Sequence, residues 1–271
     1  MPKVSIILTT YNKPTFIVDA INSVIEQTFK DWELIIIADP PIDSEVDGFI
    51  NSCVEKDLRI KYFKNEYKLG FRKCLNHGLK LAQGVYIARI DDDDIWDSQK
   101  LEKQMKFLDE NPDYVLIGSG AIFIDENRKE LYRVLPLQKD EDIRKIILLR
   151  NPFIHSSVVF LREKALEQGG YSEQLSENED YDLWLRLGLV GKFSNLPEFL
   201  VKYREPFLKE KIEKIQRQRT RVFISIIKKY KKYYPNYYKA IILNYLRLFY
   251  SFLPKPKKLA KYLYKKRQEN W

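Results

Sequence analysis

Short apolar runs alternate with helix-spaced apolar positions through the first 201 residues of the chain. Val4–Leu8 and Leu34–Ile37 are continuous apolar runs, which are typical of strands buried on both faces. Between them, apolar residues recur at helical spacing over Phe16–Ile25, behind a proline, Pro14, that suits a first helical turn. This alternation predicts an α/β fold with a largely parallel sheet.

The same pattern predicts further elements along this part of the chain. Strands are expected at Ile60–Phe63, Val85–Ile90, Tyr114–Ile117 and Val158–Leu161, and helices at Phe71–Ala82, Ser98–Leu108 and Tyr181–Leu189. The segment Ile122–Leu137 carries no clear period and is interpreted as a loop. Its course is expected to help set the shape of any pocket nearby.

The pattern changes after Tyr203. Over Ile212–Tyr230, apolar residues fall on one helical face and Lys and Arg on the other. Ala240–Leu253 is strongly apolar but spans only fourteen residues, whereas a membrane-spanning helix needs ~20. A lysine-rich end, Lys255–Arg267, follows with leucines and tyrosines among the basic residues. We therefore predict a basic, amphipathic helical extension over residues 205–271.

Charge separates the chain at the same place. The net charge of the 271 residues is +9, but from residue 202 onward there are 21 Lys and Arg against 4 Asp and Glu, whereas the first 201 residues hold 26 basic and 34 acidic residues. A basic, tyrosine-rich end is typical of contact with an anionic membrane or a nucleic acid. Its continuous apolar faces favour a membrane surface over nucleic acid. Packing on the rest of the chain, or in a homodimer interface, stays open.

The composition excludes several classes of protein. With 45% hydrophobic and 14% aromatic residues, the chain can bury a sizeable core and is not a disordered protein. Two cysteines, Cys53 and Cys74, exclude a disulfide scaffold and a four-thiolate zinc site. The first residues lack the apolar region and cleavage site of a signal peptide, so a cytoplasmic protein is expected.

Four consecutive carboxylates, Asp91–Asp94, follow the predicted strand Val85–Ile90. Like charges crowded at a strand end are unfavourable unless a cation or ligand compensates them. Mg²⁺ and Mn²⁺ bind such oxygens and often share them with substrate phosphates. The alternative is a solvated acidic turn that caps the next helix. Because ligands bind beyond the strand ends of open α/β sheets, Thr9–Tyr11 and Asp39 are expected in the same crevice.

Five segments, in order, resemble the family 2 glycosyltransferases with the GT-A fold. They are Val4–Asn12, Ser23–Leu34, Gly84–Asp94, Asn151–Val158 and Glu179–Leu187. The resemblance covers roughly residues 3–204, and five ordered segments are more specific than any single motif. It implies a Rossmann-like mixed sheet flanked by helices over residues 1–204. Residues 1–97 would form the nucleotide-sugar-binding half and residues 98–204 the acceptor-binding half.

The resemblance implies an inverting, hexosyl-type glycosyltransferase that depends on Mn²⁺ or Mg²⁺. Its donor would be a nucleotide-diphosphate sugar, with a UDP-sugar favoured, and its acceptor a hydroxyl of a lipid-linked glycan. Such enzymes build O-antigen, capsule and other surface polysaccharides, so a peripheral position on the inner face of the cell membrane is expected. One alternative is a sugar-phosphate nucleotidyltransferase, although the Gly-rich phosphate loop of that class is absent after the first predicted strand.

A second alternative is a relative with a defective donor site, whose basic tail binds membrane or nucleic acid. It is suggested by departures from the family pattern. Ala38 stands where members often carry an acid, Pro40 and Pro41 replace a Gly-Ser turn, and Leu75 replaces an arginine. Pro206 stands where many relatives carry a histidine.

On the donor side, the resemblance assigns roles to residues of the crevice. Thr9, Tyr11 and Asp39 are expected to contact the nucleoside, Tyr11 by stacking and Asp39 by accepting a hydrogen bond from uracil. An ordinary turn tyrosine and a helix-capping acid are the alternatives for Tyr11 and Asp39. The rest of the donor and metal sites is implied at Asn76, Asp91, Asp92 and Asp93, with Asp93 and Asp91 as metal ligands.

On the acceptor side, Asp180 matches the general base of the family. An inverting transfer needs one carboxylate that takes the proton from the attacking hydroxyl. Glu179, His155 and Trp184 are placed at the acceptor or just behind it. The alternatives are an acidic first helical turn for Glu179 and Asp180, a structural role for His155, and core packing for Trp184.

Overall fold

The computed structural model describes residues 1–11, 14–205 and 212–252. The strands are β1 (Val4–Thr10), β2 (Trp32–Ala38), β3 (Ile60–Lys64), β4 (Tyr86–Asp91), β5 (Ile95–Trp96), β6 (Tyr114–Ile124), β7 (Glu130–Val134), β8 (Val159–Leu161) and β9 (Lys192–Arg204). The helices are α1 (Pro14–Ile25), α2 (Ser44–Lys56), α3 (Phe71–Leu81), α4 (Lys100–Glu110), α5 (Asp140–Ile146), α6 (Arg162–Glu167), α7 (Glu179–Leu187), α8 (Ile212–Lys229) and α9 (Tyr237–Tyr250). A short 3₁₀ helix, His155–Ser157, precedes β8.

One mixed sheet joins all nine strands in the order β3-β2-β1-β4-β8-β6-β9-β5, with β7 beside β6. β1 pairs in parallel with β2 and β4, and β2 pairs in parallel with β3. β8 then runs antiparallel to both β4 and β6. The predicted α/β fold is confirmed. The sheet is parallel in its first half and mixed in its second.

The apolar runs of the first strands, interrupted in β1 by the buried Ser5, show no regular polar alternation because helices cover both faces of the sheet. Val4, Ile6 and Leu8 share one buried cluster with apolar residues of α1, α2 and α4. Ile7 and Ile35 share the other cluster with residues of α3 and α7. Burial on two faces therefore accounts for the absence of polar alternation in β1 and β2.

The interpretation of Ile122–Leu137 as a loop was wrong. The segment contains the end of β6 and the whole of β7, which pair antiparallel with Ala121 opposite Val134. Most of β7 is exposed at the sheet edge, so it lacks the apolar pattern of a buried strand. β9 and α2 were not predicted either. In β9, Pro197 and a register shift opposite Ser119 and Gly120 interrupt the apolar pattern.

The extension packs on the rest of the protein through α8. The rings of Phe223 and Tyr181 stack with centroids 4.4 Å apart, and Ile226 and Ile227 are fully buried in the same cluster as α7. In the turn after α8, the Tyr234 hydroxyl donates to the Leu185 carbonyl at 2.8 Å. The described apolar face of α8 is therefore a packing face. Of the alternatives left open for this helix, packing on the rest of the chain is the one that its described residues show.

The apolar run Ala240–Leu253 is mostly the short helix α9. Within residues 1–11, 14–205 and 212–252, no helix has the length and apolar character needed to cross a bilayer. The lysine-rich end, Lys255–Arg267, lies outside the described residues.

Candidate active site

The carboxyl ends of β1, β2 and β4 lie side by side and bring three predicted groups together. Thr9 pairs in register with Asp91, and Thr10 pairs with Ala38. The Thr10 hydroxyl donates to the carboxylate of Asp92 at 2.9 Å. The loops that follow these strands therefore line one crevice, as expected for an open α/β sheet.

Asp39 is buried at the end of β2 and holds the loop that leads into α3. Its carboxylate accepts hydrogen bonds from the backbone N–H groups of Leu69 and Gly70, both at 2.8 Å, and from the Asn65 amide at 3.1 Å. Burial acts to raise the pKa of Asp39, but these hydrogen bonds outweigh it and lower the pKa below the ordinary value. These contacts fix the loop before α3 and do not cap the next helix, because α2 is capped by Asp43. The helix-capping alternative for Asp39 was therefore wrong, and the uracil contact stays a prediction.

Tyr11 is 46% exposed at the end of β1. The ammonium group of Lys68 lies 4.0 Å from the centroid of the Tyr11 ring, a distance at which a cation is attracted to an aromatic face. Lys68 directly precedes Leu69, which Asp39 holds in place. A base that stacks on Tyr11 would therefore meet a positive charge. Sequence reasoning missed Lys68 because it lies in a loop outside every recognised motif.

The four aspartates after β4 have four different surroundings. Asp92 and Asp94 are buried, whereas Asp91 and Asp93 are partly exposed. One oxygen of Asp94 accepts a hydrogen bond from the Arg204 backbone N–H at 2.8 Å, and its other oxygen has no hydrogen-bond partner. Burial raises the pKa of Asp94, and the charges of Asp91 and Asp93 raise it further.

The surroundings of these carboxylates fit one divalent cation that shares its ligands with a substrate. In the part of the chain that the structure describes, no three His, Cys, Asp or Glu side chains form a complete metal site. Mg²⁺ is commonly held by one or two carboxylates, with water and substrate phosphates as the other ligands. Asp91 and Asp93 supply partly exposed oxygens, and the same run contains a buried Asp94 oxygen without a hydrogen-bond partner.

Arg89 is a buried residue of the crevice that the sequence analysis missed. Its side chain is fully buried, pairs with the Asp91 carboxylate and donates to the Thr9 hydroxyl at 3.3 Å. Arg89 therefore fixes one of the two carboxylates proposed for the cation. The signal was present in the sequence, because an arginine inside an apolar strand is expected to pair with an acid.

One short stretch, residues 151–157, contacts both the donor-side and the acceptor-side carboxylates. The Asn151 amide donates to the carboxylate of Asp180 at 2.9 Å. The Ser156 hydroxyl donates to the carboxylate of Asp91 at 3.1 Å and accepts from the backbone N–H of Asp91 at 3.0 Å. The predicted base and the predicted metal ligand are therefore both held by this one stretch of chain.

The electrostatics of Asp180 agree with this placement. Burial raises the pKa of Asp180, and the negative charge of Asp91 raises it further, whereas the hydrogen bond from Asn151 acts to lower it. A carboxylate with a raised pKa is a stronger base than an ordinary aspartate.

Glu179 lies beside Asp180 in the first turn of α7. Burial raises its pKa to about 7, and the charge of Asp180 contributes in the same direction. The guanidinium of Arg72 lies 3.7 Å away and acts to lower the pKa. Glu179 and Asp180 also form an acidic first turn, so the helix-dipole interpretation applies to the same residues.

The raised pKa of Glu179 predicts a pH-dependent stability. A carboxyl that titrates near 7 in the folded protein and near 4.5 when unfolded stabilises the folded state fully below pH 4.5, and this stabilisation is lost as the pH rises through 7. Glu179→Gln should remove the dependence, which is on the order of 2–3 kcal/mol. In thermal melts from pH 4.5 to 7.5, the native melting temperature should fall relative to that of the variant.

Glu55→Gln is the matched control, because Glu55 is an exposed carboxylate of α2 and is not among the charges that shift the pKa of Glu179. It should keep the native slope. Parallel melting curves for the native protein and Glu179→Gln across this range would contradict the raised pKa.

His155, Asn76 and Trp184 lie behind the crevice. Burial lowers the pKa of His155 to about 3, the charge of Arg89 adds to this effect, and its Nε2 lies 3.1 Å from the Tyr171 hydroxyl. The Asn76 side chain makes two 2.8 Å hydrogen bonds with the backbone of Tyr171. Trp184 is fully buried in the core. The described contacts of all three are structural, and their predicted ligand contacts stay predictions.

The chain is similar to known glycosyltransferases along its whole length. The sequence profile described as glycosyl transferase family 2 matches residues 5–170. An Escherichia coli protein, "UDP-Gal:alpha-D-GlcNAc-diphosphoundecaprenol beta-1,3-galactosyltransferase", is 31% identical over 272 aligned residues, which cover 98% of this chain and 96% of that protein. The amylovoran biosynthesis glycosyltransferase AmsE of Erwinia amylovora is 34% identical and covers 74% of this chain and 75% of that protein.

A solved structure has the same fold. It is the mannosyltransferase PcManGT from Pyrobaculum calidifontis in complex with GDP-Man and Mn²⁺, with a TM-score of 0.66 and 16% identity. The match covers 91% of this chain and 70% of that protein.

Proposed function

The chain belongs to glycosyl transferase family 2 and is of the surface-polysaccharide type, and on that basis we propose that it catalyses an inverting sugar transfer. The donor is a nucleotide-diphosphate sugar, with a UDP-sugar favoured. The acceptor is a hydroxyl of a lipid-linked glycan at the inner face of the cell membrane. The membership favours transfer of the sugar itself over nucleotidyl transfer to a sugar phosphate.

One observation carries the proposal. Asn151 holds Asp180, and Ser156, on the same short stretch of chain, holds Asp91. A base and a diphosphate site on opposite sides of one crevice are what a single displacement at a sugar carbon requires, because the acceptor must approach opposite the leaving group.

In this proposal, the sugar is transferred in a single displacement at its anomeric carbon. The acceptor oxygen forms a bond to the anomeric carbon as the bond between that carbon and the diphosphate oxygen breaks. Asp180 takes the hydroxyl proton, and the nucleoside diphosphate leaves with the bonding electrons. Because attack and departure occur on opposite faces, the anomeric configuration inverts.

The donor-side residues have separate roles in this proposal. Asp91 and Asp93 hold Mn²⁺ or Mg²⁺, which when bound offsets the negative charge of the diphosphate. Arg89 keeps the Asp91 carboxylate oriented. In this proposal, Tyr11, Lys68 and the loop held by Asp39 bind the nucleoside, which the contacts of Lys68 with Tyr11 and of Leu69 with Asp39 support.

The named relatives support the choice of donor and acceptor. The Escherichia coli relative is named for UDP-Gal and for an acceptor linked to diphosphoundecaprenol, and its alignment includes the C-terminal extension as well as the crevice. This full-length similarity supports a UDP-sugar and a polyprenyl-diphosphate acceptor for this chain. The structurally similar mannosyltransferase is in complex with GDP-Man and Mn²⁺. Which nucleotide the donor of this chain carries, uridine or guanosine, is therefore to be measured.

A thermal-shift screen of the purified chain against UDP, GDP, dTDP and CMP, each with Mn²⁺, Mg²⁺ or EDTA, tests the donor site. A ligand at 100 times its Kd stabilises the native state by about 2.7 kcal/mol. For a chain of this size, each kcal/mol shifts the melting temperature by about 2–4 °C. We expect a shift of roughly 5–10 °C with UDP and a divalent cation, and none with EDTA.

Product analysis then distinguishes the two transfer reactions. With a UDP-sugar and a synthetic lipid-diphosphate sugar, glycosyl transfer releases UDP and lengthens the acceptor by one sugar. A nucleotidyltransferase would instead need added pyrophosphate, which would convert the UDP-sugar to UTP and a sugar 1-phosphate and leave the acceptor unchanged. No stabilisation by any of the nucleotides, with or without metal, would contradict the proposal and favour a defective donor site.

A further inference from the structure

One face of α9 exposes a row of large apolar and aromatic side chains. Tyr238 is 80% exposed and Phe249 is 66% exposed, although both are of types usually buried at least in part. The full row, which we call the α9 stripe, consists of Tyr238, Ile242, Tyr245, Leu246, Phe249 and Phe252. Their spacing of three or four residues places them along one side of the helix.

The opposite side of α9 is fixed to the protein. Ala240 is fully buried in the core shared with α7 and α8, and Asn244 is buried beside it. The Arg247 guanidinium donates to the Leu149 carbonyl at 3.0 Å, and in the preceding turn the Asn236 amide donates to the Lys145 carbonyl at 2.8 Å. The helix is therefore docked by one side and presents the stripe outward.

Basic side chains border the stripe. The Lys228 ammonium group donates to the Tyr245 hydroxyl at 3.2 Å, and the Arg217 guanidinium carbon lies 4.5 Å from the centroid of the Phe252 ring. Both cations come from α8, which lies alongside. Exposed lysines also occupy the turn between the two helices. From Lys228 to the end, the sequence holds 13 Lys and Arg and a single acid, Glu269.

An apolar row bordered by cations matches the interface of an anionic bilayer. Apolar side chains enter the acyl boundary, while Lys and Arg are attracted to the lipid phosphates. A second copy of this chain is a poorer partner, because a two-fold contact between stripes would place two sets of lysines against each other.

We infer that the α9 stripe is the surface through which the protein lies on an anionic membrane. α9 contacts Leu149, two residues before the Asn151 that holds Asp180. The helix that carries the stripe thus contacts the chain segment that holds Asp180, where the proposed function requires a lipid-linked glycan. The orientation rests on that proposed function, whereas the membrane contact itself does not.

Vesicle co-sedimentation of the full chain tests the inference. The vesicles contain equal parts of phosphatidylglycerol and phosphatidylcholine, with pure phosphatidylcholine as the uncharged comparison. The triple variant Ile242→Ser, Leu246→Ser, Phe249→Ser should bind the anionic vesicles at least about 100-fold more weakly, because three large apolar side chains no longer enter the bilayer. All three side chains are exposed, so the fold should be unaffected.

The matched control replaces three exposed leucines elsewhere, Leu58→Ser, Leu131→Ser and Leu189→Ser, and should bind as the native chain does. Unchanged or tighter binding by the stripe variant would overturn the inference, because the lysine-rich end alone would then hold the lipid. A native dimer that the stripe variant converts to a monomer would overturn it in favour of a second copy. A protein that binds vesicles through the stripe but transfers no sugar would refute only the proposed function.

Discussion

Asp180→Asn should reduce sugar transfer by about 100- to 10,000-fold, the contribution typical of a positioned general base, while nucleotide binding stays native. The asparagine has the shape of the aspartate and can still accept the hydrogen bond from Asn151. It cannot take a proton from the acceptor hydroxyl. The measurement is turnover with a saturating UDP-sugar, beside the thermal shift with UDP and Mn²⁺.

The loss of turnover in Asp180→Asn should not result from a less stable fold. Burial raises the pKa of Asp180, which means that the folded protein disfavours the charged form, so a neutral amide should keep or increase the melting temperature. Glu177→Gln, two residues before α7, serves as the control and should turn over normally. Turnover of Asp180→Asn within about threefold of the native rate would assign the base to another residue.

Asp93→Ala should abolish the metal-dependent part of nucleotide binding. Asp93 is one of the two partly exposed carboxylates of the run, and its backbone carbonyl accepts a hydrogen bond from Arg204 that alanine preserves. The variant should therefore fold. The expected shift of roughly 5–10 °C with UDP and Mn²⁺ should disappear, and titration of Mn²⁺ in the presence of UDP should show no saturation.

Asp113→Ala provides the control, because Asp113 is an exposed carboxylate that pairs with Lys192 outside the crevice. Its nucleotide binding and Mn²⁺ titration should be native. If Asp93→Ala binds UDP with full affinity at saturating Mn²⁺, Asp93 is not a metal ligand, and the cation would then depend on Asp91 with Asp94.

The elements that could be predicted from the sequence are those with a strong local cause. β1 and β2 are apolar on both faces, so Val4–Leu8 and Leu34–Ile37 identified them. The crevice followed from topology, because the strand ends that carry Thr9, Asp39 and Asp91 belong to neighbouring strands.

The parts that escaped prediction depend on pairing between distant segments. β7 is exposed and β9 is interrupted, so each forms because β6 offers it a partner. The hydrogen bond between Ser156 and Asp91 joins residues 65 positions apart, and no local pattern encodes such a contact. The packing of α8 was also undetermined, since an amphipathic basic helix suits a membrane and a protein core equally well.

Helix α7 serves two parts of the protein at once. Its first turn carries Glu179 and Asp180, and its side packs against Phe223 and the tyrosines that follow α8. A chimera that takes the C-terminal helices from one relative and the crevice from another would have to exchange α7 as well.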